Sequence, residues 1–154
     1  MSNGPNINGN PLRIAVGLLA ASYLIGEFFV PKYPLIYSFK LLGILGLISS
    51  TFIFISGFNM FKSYDENPLP TSTTNRIIKT GIFAYTRNPI YLAIVMFFLS
   101  MFLVFENVMY FLSAVGLVIW LHNYVINSEE NFLLNKFPDE YDRYMKAVSR
   151  WIFF

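Results

Sequence analysis

Five side chains in this sequence stand out for chemistry that binds charge or moves protons. Glu129 and Glu130 are adjacent carboxylates standing where a long apolar run meets a polar tail. His122, the sequence's one histidine, lies inside that run, about two helical turns before Glu129. Arg87 and Arg150 lie far from them along the chain. A guanidinium grips a carboxylate or phosphate with forked geometry, and a carboxylate binds cations or accepts protons. Each also has a plain structural use. A lone intramembrane histidine is often a helix contact, Asn123 and Asn127 sit on a neighbouring face, and a glutamate pair at a helix end is often solvated. Phosphate-loop and dinucleotide glycine motifs are absent, as are metal-ligand clusters, so no metal site is expected. With no Cys, disulfides, thiolate metal sites and a cysteine nucleophile are excluded.

The elements that must position these groups are membrane helices. Only 13% of the 154 residues are charged and 55% are hydrophobic, against about 25% charged in a soluble domain. A helix crossing a bilayer needs about 20 mostly apolar residues. Four stretches qualify: 12–30, 41–61, 89–105 and 107–128. The expected fold class is therefore all-α, a polytopic membrane protein with four transmembrane helices. A flexible tail (1–11) precedes a single membrane domain (12–154). Only Glu106 separates the last two spans, which predicts a tight helical hairpin. Arg13, Lys62, Arg76, Lys79, Arg87, Lys136, Arg143, Lys146 and Arg150 fall on one side, and only Lys32 and Lys40 on the other. The positive-inside rule places both termini and the inner loop (62–88) in the cytoplasm. Glu27, Lys32 and Lys40 are expected to snorkel or pair near the opposite surface. The outer connections are too short to hold a site, so any chemistry falls to the inner loop and the tail (129–154). The basic residues form no run suited to nucleic acid.

Pro68, Pro70 and the Ser/Thr run after them predict an extended start to the inner loop. Gly81 permits a turn, and Asn88-Pro89 marks the start of the third span. In the tail, Tyr141, Tyr144, Val148 and Trp151 recur at helical spacing, with Asp139–Arg143 and Asp142–Lys146 as i,i+4 pairs. This predicts a C-terminal amphipathic helix lying at the inner membrane interface.

Three segments now stand in one order: Thr80-Gly-Ile-Phe-Ala-Tyr-Thr-Arg-Asn-Pro-Ile-Tyr91, then Glu129-Glu130-Asn-Phe-Leu-Leu, then Phe137-Pro-Asp-Glu-Tyr-Asp-Arg-Tyr144 with Val148-Ser-Arg-Trp151. In order and spacing they resemble the isoprenylcysteine carboxyl methyltransferase and phospholipid methyltransferase family of integral membrane enzymes. The resemblance covers roughly residues 67–151. It implies a methyltransferase using S-adenosylmethionine, with the cofactor at the cytosolic end of the hairpin and the C-terminal segment closed over it. The positions matching the family's motifs are Gly81, Tyr85, Arg87, Asn88, Pro89, Tyr91, Glu129, Glu130, Tyr141, Tyr144 and Arg150. Ala93 stands where the family often has Gly, and Pro138 replaces another usual Gly. The G-x-G of the phospholipid enzymes' cofactor loop is missing after Gly81, which weighs against that substrate.

On that resemblance, Glu129 or Glu130 is expected to bind the cofactor's amine or ribose, and Arg87 or Arg150 an anion of cofactor or substrate. Adjacent helical residues point about 100° apart. One glutamate should therefore face the ligand while the other pairs with a basic residue, and the sequence leaves open which. Tyr85 and Tyr91 fit an interfacial aromatic belt equally well. A carboxylate acceptor needs no base, whereas an amine must first lose a proton. With only the Glu pair and His122 available as bases, an anionic or thiolate nucleophile is favoured, carboxyl O-methylation of a lipid-like or prenylcysteine-like acceptor first, while a phospholipid amine and a small thiol stay open. Membrane lipids and a lipophilic substrate entering from the bilayer are the expected partners, and the oligomeric state is open. Two other readings remain: a non-catalytic membrane scaffold or partner subunit, and a sterol-reductase-like enzyme using a nicotinamide cofactor.

Overall fold

The computed structural model describes residues 4, 5, 7, 9–69, 72 and 74–152. Among them every regular element is a helix. α1 (Pro11–Phe28) begins with Pro11 in its first turn, and the Asn10 side chain accepts the Leu12 and Arg13 N–H groups at 3.0 and 3.3 Å. The helix boundary thus falls inside the expected tail. Ile7 packs on the core, so the tail's described part lies against the bundle. α2 (Tyr37–Ser63) is longer than its apolar run at both ends. A hairpin of α3 (Pro89–Phe105) and α4 (Val108–Trp120) follows, turned through a left-handed Glu106 (φ 58°) as the single-residue spacing predicts.

Among the described residues, three helical rods are long and apolar enough to cross a membrane: Pro11–Phe28, Tyr37–Ser63 and Val108–Lys136. The other predicted span, α3, is apolar throughout but shorter. At 1.5 Å per residue it covers about 25 Å. α2 packs on α3, α3 on α4, and α4 on α1, while the consecutive helices α1 and α2 barely touch. Small residues permit two of these approaches. A Cβ at Gly46 would lie 2.2 Å from Ser100 Oγ, and one at Gly26 would lie 1.8 Å from Asn107 Nδ2. Phe98, Leu117, Leu121, Val125 and Ile126 fill the centre of the bundle, joined by Trp151 from the C-terminal segment. The charges at the hairpin end pair as expected, Glu27 with Lys32 at 2.9 Å and Lys40 with Glu106 at 3.0 Å.

Two boundaries differ from the sequence reading. The apolar run does not end its helix at Ser128. The rod continues through a π-turn (Leu121–Ile126) into α5 (Asn127–Lys136), so Glu129 and Glu130 lie mid-helix. The C-terminal helix α6 (Pro138–Ala147) stops before Val148; Val148 still packs with Tyr141 and Tyr144, whereas Trp151 leaves that face for the bundle core. The two tyrosines, 3% and 6% exposed, pack with Ile77 of the inner loop, and Leu133 and Phe137 pack around them. The apolar face of α6 is thus spent on protein contacts. Of its charge pairs, Asp142–Lys146 closes at 2.6 Å, whereas Arg143 Nε donates to the Asp139 backbone carbonyl at 3.1 Å.

Candidate functional site

The corner before α3 is built to receive the C-terminal segment. Gly81 sits in the left-handed region (φ 59°) and opens a 3₁₀ turn, Gly81–Ala84, whose Phe83 carbonyl accepts the Tyr144 hydroxyl at 2.6 Å. Pro89 takes the first turn of α3, where its missing N–H costs nothing. Around it, the Arg87 backbone N–H donates to Ser149 O at 3.0 Å. Thr86 Oγ1 and Asn88 Nδ2 both donate to Arg150 O, at 3.1 and 3.0 Å. Residues 86–88 thereby hold residues 149–150 by their backbone.

Arg87 then organises the charge. Its Nη1 donates to the Met145 and Val148 carbonyls at 3.0 and 2.6 Å, satisfying acceptors at the C-terminus of α6, where a cation also suits the helix dipole. Its Nε and Nη2 donate to Glu130 Oε1 at 3.1 and 2.8 Å. Arg150 reaches the same carboxylate, Nε to Oε1 at 3.2 Å and Nη2 to Oε2. Its Nη1 meets His122 Nε2 at 2.9 Å. Glu130 is thus saturated by two guanidinium groups.

Glu129 is treated differently. Its Oε1 accepts the Tyr91 hydroxyl at 2.6 Å, and no cation among the described residues lies in ion-pair range. Both glutamates border a cleft whose walls are mainly apolar: Leu12 of α1, Phe54, Phe58 and Phe61 of α2, Ile90 and Ile94 of α3, and Ile77, Ile78 and Phe83 of the inner loop. Arg87, Asn88, Pro89, Tyr91, Tyr141 and Tyr144 border it as well. Burial, and then the Glu130 carboxylate, push the Tyr141 hydroxyl well above the usual tyrosine range. Burial does the same to Tyr144, against the opposing charge of Arg87. Both hydroxyls remain protonated donors rather than bases.

Three residues expected at the site stand elsewhere. Tyr85 is 75% exposed and Gly81 supports the corner from Met60's side; neither borders the cleft. A short 3₁₀ turn changes the direction of successive side chains, so motif spacing alone did not fix where Tyr85 points. Arg150 also lies off the cleft wall and reaches it through Glu130.

The π-turn explains which glutamate meets the arginines. In an unbroken α-helix His122 shares a face with Glu129, two turns on. The π-turn adds one residue to the repeat and puts His122 in phase with Glu130 instead, where Arg150 bridges the two.

Sequence reasoning passed over two residues. Arg76 borders the cleft with its side chain 60% exposed, 3.8 Å from a Glu66 carboxylate that already accepts the Asn75 N–H at 3.0 Å. It had counted only as a loop charge. Thr86, 1% exposed, had no role until Arg150 was seen beside it; its place between Tyr85 and Arg87 in the motif was the available signal.

The phospholipid methyltransferase family matches residues 38–140, more than half of the chain. The chain belongs to that family, and with its long apolar helices it is an integral membrane protein. It is also 32% identical over 62 residues to an uncharacterised protein of Haemophilus influenzae, a stretch covering 40% of this chain and 98% of that protein. No solved structure matches it.

Proposed function

We propose that this chain is a membrane methyltransferase that takes S-adenosylmethionine into the cleft beside Glu129 and methylates a lipid-like acceptor. In this reading α3 completes a four-span bundle, and both termini, the inner loop and α6 lie in the cytoplasm, as the nine-to-two split of basic residues favours. The observation that carries the reading is the division of labour between adjacent carboxylates. Glu130 is committed to Arg87 and Arg150, while Glu129 faces the cleft with only a tyrosine hydroxyl. A carboxyl offered to a largely apolar cleft without a cation of its own fits a ligand that brings one, and S-adenosylmethionine carries an ammonium.

When bound, the cofactor supplies a methyl group activated by its sulfonium. Glu129 binds the ammonium or ribose, and Tyr91 fixes its carboxyl orientation. Arg87 holds the C-terminal segment closed from the inside and neutralises Glu130, so one glutamate alone competes for the ligand. Phe54, Phe58, Ile90 and Ile94 exclude water and accept an acyl or prenyl tail. The acceptor enters from the bilayer, and the poor contact between α1 and α2, with Leu12 and the α2 phenylalanines on its two sides, supports that route. With Arg87 and Arg150 spent on Glu130, Arg76 is the cation that meets the acceptor's anionic group. A carboxylate acceptor, already ionised, requires no base from the site, which favours O-methylation.

Incubating the protein in lipid with labelled S-adenosylmethionine and a membrane-lipid extract tests the reading. The expected result is label in the lipid fraction that mild base releases as methanol, the signature of a methyl ester. Base-stable lipid label would replace the carboxylate by an amine acceptor. No transfer to lipid, and no cofactor binding, would leave the scaffold or nicotinamide-enzyme readings.

A further inference from the structure

His122 belongs to none of the cleft walls, yet a polar aromatic side chain inside an apolar helix must find partners to offset its desolvation. Its partner is Arg150. An arginine nitrogen has only hydrogens to offer, so at 2.9 Å His122 Nε2 is the acceptor. Nδ1 then carries the ring proton, so the indole N–H of Trp151, 3.4 Å away, is a packing neighbour of the ring and not a second hydrogen bond to it. The same guanidinium presents its Nε and Nη2 to Glu130, so Arg150 is fixed from two directions, by an imidazole and by a carboxylate. Its backbone carbonyl is held in turn by Thr86 and Asn88. An apolar residue would pack in the helix equally well; what the imidazole adds is an acceptor.

We infer that His122 is a positioning residue that latches the C-terminal segment onto the bundle through Arg150, and so keeps Glu130 saturated and leaves Glu129 as the cleft glutamate without a cation. The effect on the cofactor rests on the methyltransferase reading; the latch itself does not. If the acceptor is lost, Arg150 regains rotamer freedom. The Arg150 side chain is then held by Glu130 alone, its grip on that carboxylate loosens, and Glu130 competes more with Glu129 for a cation. Trp151, seated in the core next to His122, is released with the segment.

The test compares the full chain in lipid-containing detergent as wild type, His122→Phe, His122→Gln and Arg150→Ala. Phe fills the space without an acceptor, and Gln restores an acceptor oxygen. Arg150→Ala opens the latch from its other end and covers the case in which His122→Phe folds poorly. Two quantities are measured: the rate of chymotryptic cleavage after Trp151, followed by intact mass, and the affinity for S-adenosylhomocysteine. His122→Phe is expected to speed cleavage and weaken binding by about tenfold, the loss of one hydrogen bond to a charged group, and Arg150→Ala, which also loses both bonds to Glu130, by at least as much. His122→Gln is expected to recover most of both. Cleavage of His122→Phe and Arg150→Ala at the wild-type rate, or His122→Gln as impaired as His122→Phe, overturns the latch. Faster cleavage with unchanged affinity overturns the positioning role. The predicted cleavage pattern in a wild type that binds no S-adenosylhomocysteine sustains the latch and removes the methyltransferase reading instead.

Discussion

Replacing Arg87 with Met tests whether one side chain holds the C-terminal segment to the bundle. Met keeps much of the stem's packing but removes every donor. Four hydrogen bonds go: two to Glu130, at 3.1 and 2.8 Å, and two to the Met145 and Val148 carbonyls, at 3.0 and 2.6 Å. The Arg87 and Glu130 side chains are each only 9% exposed, so water cannot readily replace the lost partner. Breaking a buried pair by removing one member costs about 3–5 kcal/mol. Arg150 still holds Glu130, which places the expected loss at the lower end, about 3 kcal/mol. For a chain of this size each kcal/mol moves the thermal midpoint by about 2–4 °C, so the drop should be about 6–12 °C. Circular dichroism melting in detergent measures it. Lys79→Met is the control: its 2.6 Å pair with Glu140 is about 43% and 42% exposed and should contribute about 0–1 kcal/mol. If Arg87→Met melts no lower than Lys79→Met, the buried cluster does not hold the segment and the reasoning fails.

Other perturbations follow from the backbone and the turns. Gly81→Ala forces a Cβ into the left-handed region and within 2.8 Å of Met60 Sδ, and thermal melting should report a loss of about 1–2 kcal/mol. Gly26→Ala drives a Cβ to 1.8 Å from Asn107 Nδ2, displacing the side chain that caps α4 and bonds Ser22 O, whereas Gly17→Ala meets nothing and should hold or raise the midpoint. Glu106, at the turn between α3 and α4, has its carboxyl held below the usual range, first by the Leu35 N–H and then by Lys40. A lowered folded-state pKa means its stabilisation is present above the unfolded carboxyl range and lost as pH falls through the folded value. The melting difference between wild type and Glu106→Gln should therefore shrink on acidification, and a constant difference across that range would contradict the assignment.

The apolar runs made the bundle legible because desolvating the backbone in lipid requires long uncharged helices, and such runs are local in sequence. Glu106 alone between two runs dictated the hairpin for the same reason. What sequence could not supply were partners brought together by tertiary packing. Glu129 and Glu130 were interchangeable until the π-turn rotated Glu130 toward Arg150. Helical spacing placed Tyr141, Tyr144, Val148 and Trp151 on one face, but Arg87 satisfies the terminal carbonyls of α6 and the chain leaves the helix, sending Trp151 to a different core. Motif order brought Arg87, Asn88 and Tyr91 to the cleft region yet gave no reason for Tyr85 to turn outward.

The central claim is that Glu129 awaits a cationic ligand while Glu130 is already spent. Calorimetric titration of the purified protein with S-adenosylhomocysteine, in wild type and Glu129→Gln, addresses it most directly. The account predicts saturable binding in the wild type and its loss in Glu129→Gln, with the melting midpoint of the unliganded protein little changed because no cation depends on Glu129. Binding that survives in Glu129→Gln would place the ligand elsewhere, and a folded wild type that binds nothing in detergent or in lipid would contradict the claim outright.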